Sequence, residues 1–322
     1  MSVGDRTYVG FGFGSIQAGL LLYQAQSSGA FSRLVVAEIV PHVVASLRRA
    51  GGRFMVNIAH KGGVQQVQVG PIEAYEPNVA EDRERLVNAI GQAQELGTAV
   101  PSVKHYVSEN PGSIHRLLAE GLSLKGKIRG PRAVVYTAEN HNQAAEILEH
   151  LVLAEIPRVE HDAVILRVRF LNTVIGKMSG VIADPAEIER TGLAPVTPGA
   201  SRAFLVEEFN HILISQVRFD GEPFERGIQA FEEKENLLPF EETKLYGHNA
   251  IHALAAYLAM ALGIERIAEL RGRPDLMDLL RGAFLEESGG ALTRKYAGQD
   301  PLFTPQGFRR YAEDLLERMT TP

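Results

Sequence analysis

The chain has 322 residues, of which 45% are hydrophobic and 22% charged, and its formal net charge is −6 at pH 7. This length predicts two domains, and the lack of cysteine excludes disulfides, thiolate catalysis and cysteine-ligated metals. The basic residues are scattered, which argues against a nucleic-acid or membrane-binding surface. Because no basic start precedes an apolar run, and no uncharged apolar stretch reaches about 18 residues, we expect no signal peptide or membrane span and a cytoplasmic protein.

The first predicted element is a strand that ends in a glycine-rich turn, FGFGS, followed by a helix. Gly12 permits the tight turn, and Gly14 lets the backbone approach a pyrophosphate. Ser15 and Ile16 open the helix, whose first N–H groups can hold phosphate oxygens. Gln17 stands where the third glycine of such turns usually falls. We predict a dinucleotide site here, the alternative being a tight strand-to-helix turn that binds nothing.

The second predicted strand, LVVAEI, ends in Glu38, at the spacing expected for an acid that binds ribose. A carboxylate there accepts hydrogen bonds from the adenosine ribose hydroxyls and repels a 2′-phosphate. The sequence therefore predicts NAD rather than NADP as the cofactor. A later short strand leads into Val100, which we expect beside the nicotinamide end of the cofactor.

The first half continues as the strands and helices of a doubly wound α/β domain, with RFMVNIA and VQQVQVG as a hairpin. Asn140 follows the buried strand PRAVVYT, at the carboxyl end where ligands bind in such sheets, although it can equally cap the next helix. A segment rich in Pro, Gly and Thr begins at Asp184. We therefore predict a Rossmann-type NAD-binding domain over residues 1–182 and a mostly α-helical substrate domain over residues 183–322.

The second half contains a long predicted helix that opens with polar residues, KLYGHNAIH, and continues as an almost wholly apolar run. At about 100° per residue, His248 and His252 lie about 40° and 80° around the helix from Lys244. Asn249 lies about 140° from the same residue, so that all four side chains share one side of the helix.

Three interpretations fit this polar helix start. The polar side chains can simply face water, or His248 and His252 can bind a metal, although HNAIH has no intervening Glu and no evident third ligand. In the third interpretation the helix is catalytic. A lysine in a partly dry cleft can act as a general base, and an Asn amide can donate to a developing alkoxide.

The pattern K-x4-N-x2-H, formed by Lys244, Asn249 and His252, resembles the signature of the polyol-specific long-chain dehydrogenases, the mannitol dehydrogenase-like enzymes. Similar segments are spread over nearly the whole chain: FGFGSIQAGL, VAEI, AENHNQA, VEEFNHILI, KLYGHNAIHALAAYLA and EESGGALTRKY. The resemblance implies that Lys244 is the general acid/base. It also implies that Asn140 and Asn249 form an oxyanion hole and that His252 positions or polarises the substrate oxygen.

The resemblance implies NAD-dependent hydride transfer between a sugar alcohol, free or phosphorylated, and its keto sugar, with no metal. We expect His248 to contact substrate hydroxyls. Arg294 and Lys295 are candidates for a substrate phosphate, the alternative being a solvated last helical turn. One departure concerns the substrate side of the site, because Gly176 replaces an acid of the family.

Two rival functions remain open. A β-hydroxyacid dehydrogenase, similar to the 6-phosphogluconate enzymes, also has a Lys followed by His-Asn on a helix, but KLYGHN has one residue more between Lys and Asn. A member degenerate at Gly176 would instead be a non-catalytic NAD(H)-binding sensor. For either function the partner is a small molecule, and the chain is expected to be a monomer or weak dimer, since no heptad or long apolar stripe demands a partner.

Overall fold

The computed structural model describes residues 6–209, 211–221 and 223–321. The chain divides into two compact units, Met1–Glu235 and Asn236–Pro322. Among the described residues, no helix is long and apolar enough to cross a membrane.

The first unit is built on an eight-stranded sheet with the order β12-β11-β8-β7-β6-β1-β2-β5. The strands from β8 to β5 in this order run parallel, whereas β11 pairs antiparallel with β8, and β12 runs parallel to β11. The parallel strands are β1 (Arg6–Phe11), β2 (Phe31–Ala37), β5 (Glu73–Tyr75), β6 (Glu95–Thr98), β7 (Ala133–Thr137) and β8 (Val168–Ile175). The two added strands are β11 (Ile212–Ser215) and β12 (Phe231–Lys234).

Helices cover this sheet because its strands are apolar on both faces, as parallel strands usually are. They are α1 (Tyr23–Ser27), α2 (Pro41–Arg49), α3 (Ala80–Gln92), α4 (Ile114–Lys127), α5 (Ala144–Glu155) and α6 (His161–Ile165). A further short helix of the first unit, α7 (Pro185–Thr191), has no buried residue. A π-helical segment, Gln17–Leu22, precedes α1, and short 3₁₀ turns span Val103–Tyr106 and Arg158–Glu160.

A second, four-stranded sheet in the same unit has the order β4-β3-β10-β9. Its strands are β3 (Phe54–His60), β4 (Gly63–Val69), β9 (Ser179–Ile182) and β10 (Ala203–Glu207). The predicted hairpin is confirmed, since β3 and β4 pair antiparallel from Phe54↔Val69 to His60↔Gly63. Phe13, from the glycine-rich turn, packs edge-on against Phe54 and Phe204 of this sheet, with ring centroids 5.0 and 5.6 Å apart.

The second unit is helical throughout its described residues. Its α-helices are α8 (Leu238–Thr243), α9 (Ala250–Ala261), α10 (Pro274–Gly282), α11 (Gly290–Lys295) and α12 (Pro305–Met319). Two π-helical segments, Lys244–Asn249 and Ala283–Gly289, and two 3₁₀ turns, Ile267–Gly272 and Pro301–Phe303, connect them. The predicted fold class, a doubly wound α/β sheet with a mostly helical C-terminal part, is confirmed.

The compact units divide at residue 235, later than the boundary that the sequence predicts near residue 182. The segment between these two positions is held in the first unit by strand pairing. Strand β10 pairs parallel with β3, and β11 pairs antiparallel with β8. The Pro- and Gly-rich stretch after Asp184 is therefore a connection within the first unit, around α7.

Candidate active site

The glycine-rich turn lies between β1 and the first helix, at the carboxyl end of the parallel sheet. Gly12 has a φ of +85°, and a Cβ there would lie 2.9 Å from the backbone oxygen of Ala99, so that only glycine fits. Its N–H donates to the Ala37 carbonyl at 2.9 Å, which ties the turn to the end of β2. The turn therefore sits where β1 has neighbours β2 and β6 on its two sides, the position at which doubly wound sheets bind nucleotides.

Gly14 leaves open space above the turn, since a Cβ there would meet no atom within 4 Å. The helix begins directly afterwards, with the Gly14 carbonyl accepting from the Ala18 N–H at 2.9 Å. Ser15 Oγ donates to Ser179 Oγ of β9 at 3.0 Å, and Ile16 packs on the hydrophobic core. An open glycine followed by the N–H groups of a first helical turn fits a pyrophosphate.

Gln17, at the third position of the glycine pattern, points away from this open space. Its side chain is completely buried, and its Nε2 donates to the Tyr8 hydroxyl at 2.8 Å. The amide also occupies the room beside Gly10, where a Cβ would approach Nε2 to 2.1 Å. Gln17 thus packs against β1 and does not narrow the turn on its outer side.

Glu38 follows β2 directly and is buried. Its Oε1 accepts from the Val40 N–H at 2.9 Å, which holds the carboxylate near the start of α2. Through the bond from Gly12 to Ala37, this carboxylate lies one residue from the glycine turn. The position matches that of a ribose-binding acid in a dinucleotide-binding sheet.

Val100 and Asn140 lie just beyond the carboxyl ends of the neighbouring strands β6 and β7. The Cγ1 of Val100 would be 3.3 Å from a Cβ on Gly12, so that the residue predicted at the nicotinamide end does lie against the turn. Asn140 is exposed at the same edge of the sheet. Between them lies Glu139, a buried carboxylate that the sequence reading missed because its hydrogen-bond donors come from distant parts of the chain.

In the second unit, Lys244 is the first residue of the π-helical segment that joins α8 to α9. Burial lowers the pKa of Lys244 to about 8, so that about a tenth of the amine is neutral at pH 7 and about half at pH 8. The side chain keeps partial exposure. This combination suits a group that must both take and return a proton.

The π-helical segment changes the predicted phase of Asn249. In an α-helix residues five apart diverge by about 140°, whereas a π-helix closes its hydrogen bonds from i to i+5. Asn249 is therefore stacked over Lys244 approximately as a residue four positions on would be in an α-helix. The wide π-helical turn brings Lys244 and Asn249 closer to one face of the helix than an α-helix would.

His248 and His252 form a stacked pair on the same helix, with ring centroids 4.8 Å apart and planes inclined by 26°. Burial lowers the pKa of His248 to about 3, with smaller contributions from the nearby His252, Lys244 and Arg318. Burial also lowers the pKa of His252, whose Nδ1 lies 3.3 Å from the His248 carbonyl oxygen. Both imidazoles are thus neutral at pH 7, and Arg318 of α12 is a nearby cation that the sequence reading did not single out.

Lys295 is engaged elsewhere in the second unit. Its Nζ donates to both carboxylate oxygens of Glu242, at 2.9 and 2.6 Å, and Tyr296 Oη donates to the same carboxylate at 2.6 Å. Arg294 is exposed in the last turn of α11. Of the two candidates for a substrate phosphate, Arg294 is the one that no carboxylate of the described residues holds.

Gly176 follows β8, and a Cβ there would meet only the Cε1 of Phe209, at 3.4 Å. Its neighbour Lys177 is buried and donates to the backbone carbonyls of Glu207 and Phe209, the latter at 3.1 Å. Burial lowers the pKa of Lys177 to about 8. The basic residue of this segment is thus bound to backbone, while the position of the acid is left as glycine with room for a side chain.

Among residues 6–209, 211–221 and 223–321, no three His, Asp or Glu side chains are grouped as they would be around a metal ion. Gly12, Gly14, Glu38 and Val100 are brought together at one edge of the first unit. Lys244, His248, Asn249 and His252 are brought together at the start of the long helix of the second unit.

No family model matches the chain. It is 26% identical over 309 residues to a mannitol-1-phosphate 5-dehydrogenase of Bacillus licheniformis, in an alignment covering 96% of this chain and 72% of that protein. A protein of the same name from Bacillus pumilus is 26% identical over 311 residues, covering 96% of this chain and 73% of its own length. The predicted resemblance is confirmed.

Two solved structures share the fold of the chain. A D-sorbitol dehydrogenase in substrate-free form has a TM-score of 0.77 at 13% identity, covering 98% of this chain and 70% of its own. A Pseudomonas fluorescens mannitol 2-dehydrogenase, in a ternary complex with NAD and D-mannitol, has a TM-score of 0.73 at 14% identity, covering 100% of this chain and 70% of its own. Polyol dehydrogenases are thus similar to the chain both in sequence and in fold.

Proposed function

We propose that the chain is an NAD-dependent dehydrogenase that interconverts a sugar alcohol, free or phosphorylated, and the corresponding keto sugar. The observation that carries this proposal is the burial of Lys244, which lowers its pKa to about 8. Lys244 lies at the start of a helical stretch that also contains Asn249 and His252. The names of the sequence relatives support the substrate class.

The residues of the first unit fit NAD. Gly14 provides the open approach for a pyrophosphate, with Ser15 and Ile16 opening the helix behind it, and Gly12 forms the turn. Glu38 would accept hydrogen bonds from the ribose hydroxyls and would exclude a 2′-phosphate by charge repulsion. When bound, the dinucleotide supplies the acceptor or donor of hydride at the substrate carbon.

In the oxidising direction, the neutral Nζ of Lys244 takes the proton of the substrate hydroxyl as hydride leaves the carbon. The side-chain amides of Asn140 and Asn249 donate to the oxygen as negative charge grows on it, a contribution of about 3 kcal/mol per donor in well-organised sites. His248 and His252 orient the substrate hydroxyls. In the reducing direction, the Lys244 ammonium returns the proton to the oxygen.

The decisive experiment is Lys244→Met, which keeps the length of the side chain and removes the amine. We expect turnover of a panel of polyols, polyol phosphates and keto sugars to be abolished while NADH, followed by its fluorescence, still binds. Lys127→Ala, at an exposed lysine of α4, is the control and should keep full turnover. Undiminished turnover in Lys244→Met would reject the assignment.

The sensor alternative rests on Gly176. A side chain at this position would make only an ordinary contact with Phe209, so that Gly176→Asp should fold. If wild type binds NADH without turning over any member of the panel, and Gly176→Asp acquires turnover, the chain is a degenerate dehydrogenase acting as a sensor. Turnover limited to 2-keto or 3-keto acids would favour the β-hydroxyacid alternative.

A phosphorylated substrate is the finer part of the proposal, with Arg294 as the group to test, since Lys295 is paired with Glu242. Arg294→Ala should lower the activity on polyol phosphates relative to free polyols. An unchanged ratio removes Arg294 from the site. We further propose that the enzyme works in the cytoplasm. We also propose that it is a monomer or weak dimer, and sedimentation of the purified chain would test this oligomeric state.

A further inference from the structure

Glu139 is a buried carboxylate at the carboxyl end of the large sheet that accepts from three donors, yet it has no role in the proposed chemistry. Only 4% of the residue is exposed. Its Oε2 accepts from the hydroxyls of Thr98, at 2.8 Å, and Tyr106. Its Oε1 accepts from the backbone N–H of Val100 at 2.9 Å. One carboxylate therefore joins the end of β6, the loop after it and the 3₁₀ turn Val103–Tyr106.

The bond to Val100 links Glu139 to the glycine turn. The segment Ala99-Val100 packs so closely on Gly12 that a Cβ there would meet the Ala99 oxygen at 2.9 Å and the Val100 Cγ1 at 3.3 Å. The Ala99 N–H also donates to the Phe11 carbonyl at 3.1 Å. Whatever holds Val100 in place thus sets the wall of the space in which a dinucleotide would lie.

Glu139 is also the residue directly before Asn140. Its backbone is fixed on both sides, because Ala138 N–H donates to the Thr98 carbonyl at 3.0 Å and His141 N–H donates to the Glu139 carbonyl at 2.8 Å. The buried Glu139 side chain thus anchors the backbone next to the exposed Asn140. The Glu139 side chain therefore fixes both Val100, which lines the space for the dinucleotide, and the backbone next to Asn140.

We propose that Glu139 is a positioning residue of the dehydrogenase, which holds Val100 against the glycine turn and keeps Asn140 at the substrate oxygen. This inference rests on the proposed function for Asn140, but its part concerning Val100 requires only that the turn binds NADH. Displacing a reacting or contacting group by about 1 Å can lower turnover by about 10²-fold. Loss of the Glu139 contacts should therefore lower turnover measurably.

The chain contains a matched control, because a second buried carboxylate has the same kind of partners at the opposite edge of the sheet. Glu95, at the start of β6, accepts from the Tyr136 hydroxyl at 2.8 Å and from the backbone N–H groups of Gly227 and Ile228, the latter at 3.3 Å. It is completely buried. Since ligands bind at the carboxyl ends of parallel strands, Glu95 has no place in the proposed site.

The test compares Tyr106→Phe with Tyr136→Phe in the full chain. Each variant removes one hydroxyl donor from one buried carboxylate, and both should lower the melting temperature. We expect Tyr106→Phe to raise the dissociation constant of NADH about fivefold, the effect of one hydrogen bond, and to lower kcat on the best polyol. Tyr136→Phe should leave both within twofold of wild type.

Glu139→Ala and Glu139→Gln complete the set. The alanine variant removes all three contacts and should lose about 10²-fold in turnover. Glutamine can accept from the Val100 N–H and donate to a rotated hydroxyl, so that it should recover most of the NADH affinity. A merely structural role would change the melting temperature of these variants without this pattern in NADH affinity.

The inference is overturned if Tyr106→Phe and Glu139→Ala bind NADH within twofold of wild type, if Tyr136→Phe weakens binding as much as Tyr106→Phe, or if wild type binds no NADH. A wild type that binds NADH but oxidises no polyol would reject the proposed function alone. In that case the NADH affinities of the four variants still decide the positioning role of Glu139.

Discussion

Burial decides the chemistry available to Lys244. A lysine in water is an ammonium at neutral pH, whereas the surroundings at the head of the π-helical segment lower its pKa to about 8. The neighbouring His248 stays uncharged far below neutral pH, because burial and nearby cations lower its pKa to about 3. Lys244 is thus the group of this cluster whose charge changes near physiological pH.

The pH dependence of the two reaction directions follows from this pKa. Oxidation of the alcohol needs the neutral amine, so that kcat/KM should rise with pH up to about 8 and then level off. Reduction of the keto sugar needs the ammonium, and its kcat/KM should fall as the pH rises above the same value. Profiles measured in both directions that rise together, or stay flat, would contradict Lys244 as the acid/base.

The sequence could predict that Lys244, Asn249 and His252 lie together because their pattern is local. Such a motif can be read from spacing along one helix. It could not predict Glu139, whose donors Thr98 and Tyr106 lie about 40 and 30 residues earlier and reach it only through the sheet. Nor could it give the pKa of Lys244, which depends on the groups that exclude water from it.

At the scale of single elements, the glycine-rich turn separates a folding role from a binding role. Gly12 needs its positive φ and has the Ala99 oxygen 2.9 Å from a Cβ, whereas Gly14 has open space. The sequence predicted both glycines from one pattern, FGFGS. It could not tell which of them serves the chain and which serves the ligand.

Alanine substitutions should separate these two roles. Gly12→Ala should lower the free energy of unfolding by at least 1–2 kcal/mol, roughly the cost of a left-handed backbone for a residue with a Cβ. Gly14→Ala should leave urea unfolding unchanged and weaken NADH binding, because its methyl group takes the space of a phosphate. Normal NADH affinity in folded Gly14→Ala would remove the pyrophosphate from this turn.

A buried lysine joins two helices of the first unit. Lys125, in α4, is completely buried, and its Nζ donates to the carbonyls of Gly91, Ala93 and Pro131 at 3.1, 2.6 and 3.2 Å. Two of these carbonyls lie at the end of α3, where a helix lacks internal donors. The side chain therefore caps α3 from a neighbouring helix, which no local capping pattern of α3 could reveal.

Lys125→Met should be destabilising although it keeps the volume of the side chain. Three buried carbonyls lose their donor, and we expect the free energy of unfolding to fall by about 3 kcal/mol. Chemical denaturation followed by circular dichroism measures this change. Lys127→Met, two residues on at an exposed position of the same helix, is the control and should change stability by less than about 0.5 kcal/mol.

At the scale of the whole molecule, the pattern of strands and helices predicted the fold class but not where the first unit ends. The texture change after Asp184 is a loop around α7, and the strands beyond it return to sheets begun much earlier. Pairing between β10 and β3 joins residues about 150 positions apart. Local composition does not show which distant strands will pair, such as β10 with β3. It therefore predicts a domain boundary where the structure has a loop within the first unit.

Truncation distinguishes the two boundaries. A fragment of residues 1–182 lacks β10, β11 and β12, which leaves β3 and β8 with open edges and Glu95 without its donors from Gly227 and Ile228. It should be unfolded or aggregated. A fragment of residues 1–235 should show the circular dichroism of a folded α/β protein and bind NADH. Folding of the shorter fragment alone would restore the earlier boundary.

The contact between the His252 ring and the backbone of His248 restricts what that ring can recognise. Its Nδ1 faces the His248 carbonyl, which can only accept, so that the proton of this neutral ring is held on Nδ1 and Nε2 keeps its lone pair. An imidazole in this tautomer attracts a hydroxyl hydrogen and offers nothing to a carbonyl oxygen. At the substrate oxygen that we propose for it, His252 would therefore favour the alcohol over the ketone, and the position of this single proton would shift the equilibrium between the two bound forms towards the polyol.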